Sequence, residues 1–121
     1  MLRSRDRRMW QEMLRQAPGV FLHHSGHTHR MRVNRRDRGS DHIHFLETAA
    51  CAAYPGGYTA VRLYTGGYQI NFYRPLTDEV MNWLAISRWQ SLGIGAHMMI
   101  GRFSDRNHVI YTDLSALTPT H

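Results

Sequence analysis

Tyr58-Thr59-Ala60-Val61-Arg62-Leu63-Tyr64-Thr65-Gly66-Gly67-Tyr68-Gln69-Ile70-Asn71-Phe72-Tyr73-Arg74 is the stretch that decides the fold class. Two runs rich in β-branched and aromatic residues, Tyr58 to Tyr64 and Tyr68 to Arg74, flank Gly66-Gly67, a pair that accepts the positive φ of a two-residue hairpin turn. A turn at that place puts Thr65 opposite Tyr68, Leu63 opposite Ile70 and Val61 opposite Phe72, all on one face. The other face pairs Tyr64 with Gln69, Arg62 with Asn71 and Ala60 with Tyr73. One apolar face and one more polar face are what a half-buried antiparallel hairpin requires.

Downstream, Pro75 ends the hairpin and Thr77 is placed to cap a helix running to about Ser91, with Val80, Trp83, Leu84 and Ser87 sharing a face. Gly93-Ile94-Gly95 breaks that helix. The remainder, including Asp105-Arg106-Asn107-His108, reads as an irregular tail of turns and short strand character. Upstream, Ser4 caps a first helix through about Gln16 whose apolar stripe is Met9, Trp10, Met13 and Leu14, and Pro18-Gly19 stops it. Val20 to His24 reads as a short buried strand and Ser25-Gly26 as a turn. Arg30 to Ser40 is polar enough for a loop. Asp41 to Leu46 alternates as a strand, with His42 and His44 on the solvent face and Ile43 and Phe45 on the other. The expectation is an α/β chain forming a single domain over 1–121. Residues 1–74 hold the sheet and 75–121 a C-terminal helix and tail.

The chain has 121 residues, 42% of them hydrophobic, which suits one globular domain and excludes a wholly disordered chain. Its 15 basic residues are all arginine, against 9 acidic ones, for a net charge of +6. That balance is compatible with phosphorylated ligands or nucleic acid, and the absence of lysine is equally what a genome composition bias produces. Arg3, Arg5, Arg7 and Arg8 form one cluster, and Arg30, Arg32, Arg35, Arg36 and Arg38 another. A basic nucleic-acid or phosphate-binding module without catalysis is therefore one reading. Asp6, Asp37 and Asp41 interrupt the clusters, and no nucleic-acid fold signature accompanies them, so nucleic acid is not the expected partner. The single Cys51 excludes a disulfide framework and reads as a buried packing cysteine among alanines. His97, beside Met98-Met99, reads as core or edge packing. No apolar run approaches the roughly 20 residues of a membrane span. The N-terminus lacks the apolar core of a secretory signal, so a cytoplasmic location is expected.

Chemistry concentrates in Gly26-His27-Thr28-His29. Two histidines at i and i+2 cannot share a helix face, but a strand or loop turns both imidazoles to one side. The preceding glycine permits a tight turn, and neutral imidazole is a good ligand for divalent metals. Surface histidines in a polar loop are the alternative. A second alternative is a mononuclear site drawn from two His-x-His pairs, His27 with His29 and His42 with His44, on neighbouring strands.

The whole segment Val20-Phe21-Leu22-His23-His24-Ser25-Gly26-His27-Thr28-His29-Arg30 resembles the last metal-binding motif of the calcineurin-like metallophosphoesterases. His44 to Ala50, then Tyr54-Pro55-Gly56-Gly57-Tyr58 and the hairpin, are similar to the strands that close that family's β-sandwich. The resemblance covers about residues 16 to 74 and is specific at the loop. It implies the C-terminal part of a metallophosphoesterase-type β-sandwich flanked by helices, and metal-dependent hydrolysis of a phosphoester substrate. His27 would bind one of two divalent metals and His29 the other, Gly26 would set the loop geometry, and Arg30 would help neutralise the phosphate. In such a centre a metal-bridging hydroxide attacks phosphorus in line. His23 and His24 are secondary candidates for the family's further lone histidine. The family's Asp-x-His, Gly-Asp-x-x-Asp and Gly-Asn-His-Asp/Glu motifs do not occur here. The resemblance therefore implies a segment with an incomplete site, inactive until the N-terminal half of the domain, or a second copy, supplies the rest. Exposed apolar surface is expected where the absent strands would pack.

Overall fold

A computed structural model describes residues 9, 10, 12–14, 16, 17, 19–35 and 43–117. The expected cap at Ser4, the first arginine cluster, Arg36, Arg38 and His42 lie outside the described residues. Among the described residues six strands form two three-stranded sheets. The first has the order β1-β3-β2, with β1 (Leu22–Ser25) parallel and β2 (Arg32–Arg35) antiparallel to the central β3 (His44–Glu47). The second has the order β4-β5-β6, an antiparallel set of Tyr58–Tyr64, Gly67–Tyr73 and Asn107–Tyr111. Helices are few: α1 (Asp78–Ser87), the single turns α2 (Ala96–Met99) and α3 (Phe103–Arg106), and helical residues at 9, 10 and 12–14. The chain is a mixed α/β protein.

The hairpin forms with its faces as the alternation demands, but its turn lies one residue earlier than Gly66-Gly67. Tyr64 pairs with Gly67, Leu63 with Tyr68, Val61 with Ile70 and Thr59 with Phe72, leaving Thr65-Gly66 as the turn. Moving the turn by one residue shifts the pairing by two positions, which preserves the face of every side chain. The cause is β6. Gly67 has φ +144, and a Cβ there would lie 2.0 Å from the Ile110 carbonyl oxygen, so this glycine is needed for close approach of a third strand. The turn carbonyls are used as well, since Thr112 N–H donates to Gly66 O and Leu114 N–H to Thr65 O.

One expected loop holds a strand, since Arg30 to Ser40 contains β2, and the strand character expected in the tail is β6. Strand β6 makes β5 the central strand of its sheet, so Tyr68 and Ile70 are buried. On the edge strand β4, Val61 and Leu63 stay exposed although they share the same face. The sheets share one core of Met31, Leu46, Tyr68, Ile70, Ile110 and Leu114, with Phe21, Leu22, Val33 and Phe72 packed against it.

His44 is not on a solvent face. It is buried, on the same face of β3 as Leu46, with its Nδ1 3.0 Å from the Tyr68 hydroxyl oxygen. That hydroxyl also donates to Phe21 O at 3.2 Å, so one phenol oxygen ties β5 to both β3 and the segment before β1. Burial pushes the Tyr68 phenol up to about 12. The folded value lies above the unfolded one near 10, so this contribution to stability is intact below pH ~10 and lost as pH rises toward 12. Urea unfolding midpoints should therefore fall between pH 10 and about 12 in the native protein. They should fall less in Tyr68→Phe, which starts about 1 kcal/mol less stable for want of the hydrogen bonds. Equal alkaline sensitivity in both proteins would remove Tyr68 as the cause.

Helix α1 starts where expected, with Thr77 Oγ1 accepting from Val80 N–H at 3.4 Å, but it ends at Ser87 and gives way to a 3-10 turn at Gln90–Gly93. Leu84 and Ser87 are buried; Trp83 is partly exposed and donates from Nε1 to Ala52 O at 2.8 Å. Of the first apolar stripe only Leu14 is buried, and Met9, Trp10 and Met13 are exposed. Cys51 and His97, expected in packed positions, are exposed too. Leu76, Ile86, Trp89, Leu92 and Ile94 are exposed as well.

Candidate functional site

The order β1-β3-β2 determines where the histidine loop lies. Parallel β1 and β3 end side by side, Ser25 opposite Glu47, and antiparallel β2 begins at the same end, Arg32 opposite Glu47. The connection from Gly26 to Met31 therefore bridges the carboxyl end of the central strand. That end of a sheet, where parallel strands terminate, is where open α/β sheets place ligands.

Both feet of the bridge are anchored. At the first, Ser25 O accepts from Thr48 N–H at 2.9 Å and from the Thr48 hydroxyl at 3.2 Å, while Ser25 Oγ donates to Leu46 O at 3.3 Å. His24 belongs to this anchor, with its Nε2 3.2 Å from Thr48 Oγ1. At the second, Met31 is fully buried and its N–H donates to Met99 O at 2.8 Å. Between the feet Gly26, His27, Thr28 and His29 are exposed, and Arg30 is half-buried. His27 and His29 both hold left-handed backbone, with φ of 76° and 57°. Such φ values are uncommon for residues bearing a side chain and concentrate at functional positions. His27→Gly or His29→Gly should relieve that strain and stabilise the chain by about 0.5–1 kcal/mol, whereas the matching alanine variants should not. Thermal unfolding of the four variants checks this, and a loss of stability in both glycine variants would contradict it.

The remaining histidine candidates separate. His23 packs between Trp10 and Phe45, with ring centroids at 5.7 and 5.4 Å, and its buried Nδ1 has no hydrogen-bond partner among the described residues. It is a packing residue of the sheet. His44 pairs in register with Leu22, at the amino end of β3, and faces Tyr68 and His108. The loop lies at the opposite end, so the four-histidine arrangement is not assembled around His44, and His42 lies outside the described residues. Met31, Met99 and Gly101 hold the bridge through backbone contacts with distant segments and carry no sequence signal of that role; nor does Thr48, whose N–H and hydroxyl both reach Ser25 O.

The donor chemistry of His27 and His29 suits a divalent metal, but the set is short. Among the described residues no group of three or more histidine, cysteine, aspartate or glutamate side chains is placed to hold a metal ion. The described residues thus do not complete a mononuclear or a dinuclear centre. Arg30, next along the bridge, points the other way in function: with Arg32 and Arg102 it lines a groove of about 640 Å³ between β2 and the 97–105 segment.

Comparison with known proteins gives no relative: the chain matches no protein-family model, no curated protein and no solved structure. Among the described residues no helix is long and apolar enough to cross a membrane.

Proposed function

We propose that this chain is the C-terminal part of a metal-dependent phosphoester hydrolase of the calcineurin-like type, in which His27 and His29 are two of the metal ligands. The observation that carries the reading is the anchored bridge. It presents two exposed imidazoles on left-handed backbone over the carboxyl end of the central strand. Metals bound there would supply Lewis-acid stabilisation of a phosphoryl group. The chain's own part is to hold the two imidazoles at fixed positions. Among the described residues no carboxylate joins the two imidazoles, so the remaining ligands would come from outside those residues. The exposed side chains of Leu76, Ile86, Trp89, Leu92 and Ile94 and the edge strand β4 offer apolar and backbone groups against which a segment supplying those ligands would pack.

Titration with Mn²⁺ and Zn²⁺, followed by the histidine ring resonances, tests the reading. The expected result is that His27 and His29 respond together and before the other histidines, with weak affinity. No hydrolysis of a phosphodiester is expected from the chain alone. Joint loss of the response in His27→Gly and His29→Gly would support shared coordination. Silence of both residues at millimolar metal, or first response elsewhere, would overturn it.

A further inference from the structure

The groove beside the bridge has a composition the hydrolase reading does not use. Its lining brings Arg30, Arg32 and Arg102 together with His97, against one carboxylate, Asp105. Asp105 is already committed to the backbone. Its Oδ1 accepts from Val33 N–H at 3.1 Å and its Oδ2 from Arg102 N–H at 2.8 Å, which fastens α3 to strand β2. Among the described residues no carboxylate forms an ion pair with the three guanidiniums. Among the described lining residues three positive charges stand against one negative, an excess of two. Single arginines on a convex surface are solvated and bind little; several lining one concavity focus the field there and favour anions. The volume, about 640 Å³, is that of a small-molecule site. Met98, half-exposed on the same lining, offers a polarisable apolar contact for an organic group.

We infer that this groove binds a phosphate monoester, its dianionic phosphate held by Arg30, Arg32 and Arg102 and its organic group lying against Met98. The charge match selects the class. A monoester carries about −1.5 to −2 at pH 7, close to the excess of two, whereas a phosphodiester carries one charge. Arginine forks suit phosphate oxygens in pairs. The site is separate from the two imidazoles and needs no metal, so it stands or falls independently of the hydrolase reading.

Binding of phenyl phosphate to the native chain, measured by calorimetry and by amide chemical shifts in metal-free buffer, tests the inference. The expected dissociation constant is on the order of 1 mM or tighter. Phenyl sulfate, a monoanion of the same shape, should bind about tenfold more weakly, and inorganic phosphate should bind more weakly for want of the ring. Arg32→Gln and Arg102→Gln should each lose about tenfold in affinity, as expected when a charge-assisted contact is removed. Both side chains are exposed, so folding should be retained, and the amide spectrum reports it. The His27→Gly/His29→Gly double variant should bind as the native chain does. Equal affinity for phosphate and sulfate esters, no loss in either arginine variant, or shift changes confined to other parts of the surface would each overturn the inference. Loss of binding only in the histidine double variant would instead place the anion at the bridge.

Discussion

Gly101→Ala should be among the most damaging single substitutions in this protein, costing about 3 kcal/mol or more and lowering Tm by about 15 °C. Gly101 has φ +65, a conformation that costs an alanine roughly 1 kcal/mol without any contact. Contact is the larger part. A Cβ at this position would lie 2.0 Å from the Met31 carbonyl oxygen and 3.2 Å from Asp105 Cβ. The first is backbone and cannot rotate aside. Relief requires pulling the 99–105 segment away from Met31, which breaks the bond from Met31 N–H to Met99 O and disturbs Asp105, which fastens α3 to Val33. Urea unfolding of the variant measures the loss, and a cost under about 1 kcal/mol would show that the two segments are not held as tightly as described. Gly19→Ala is the control, because no heavy atom lies within 4 Å of a Cβ there.

Met31→Ala should cost about 2–5 kcal/mol. Met31 is fully buried, lies in the core shared by both sheets, and its sulfur accepts from the Thr59 hydroxyl at 3.6 Å. Truncation leaves a void between the sheets that the surrounding strands can only partly close. Met31→Leu keeps the volume and should cost less than about 1.5 kcal/mol. The consequence reaches the candidate site, because Met31 is the second foot of the bridge that carries His27 and His29. In Met31→Ala the metal response of those two imidazoles should weaken, while Met31→Leu should keep it. Gly101→Ala acts on the Met31 backbone and Met31→Ala on its side chain, so a double-variant cycle measures how far the two couple.

Much of the site was readable along the chain because its features are local. A Gly-His-Thr-His run after an apolar segment announces a strand leading into a loop. Thr77 announces the start of α1 through its own hydroxyl. Strand β2 was hidden because Arg32, Val33, Asn34 and Arg35 present three polar residues out of four, as an edge strand with one covered face can. Strand β6 was legible only as strand character without a position, for the opposite reason. Val109 and Tyr111 are apolar yet outward-facing, so no alternation marks Ile110 as the inward residue. Cys51 and His97 were misplaced because small or apolar neighbours in sequence do not guarantee neighbours in space.

Periodicity and turn chemistry in the sequence alone determined which side chains share a strand face, where the hairpin folds to within one residue, and that His27 and His29 belong to one short loop. These follow from bonded geometry and the two-residue repeat of a strand, which need no distant partner. Only the tertiary structure decided which strand of each sheet is central, that His44 is buried against Tyr68, and that the loop bridges the carboxyl end of β3 with Arg30 opening onto a separate groove. Each of those depends on a pairing between segments far apart in the chain, Met31 with Met99 and Gly67 with Tyr111 among them, and no local preference specifies such a pairing.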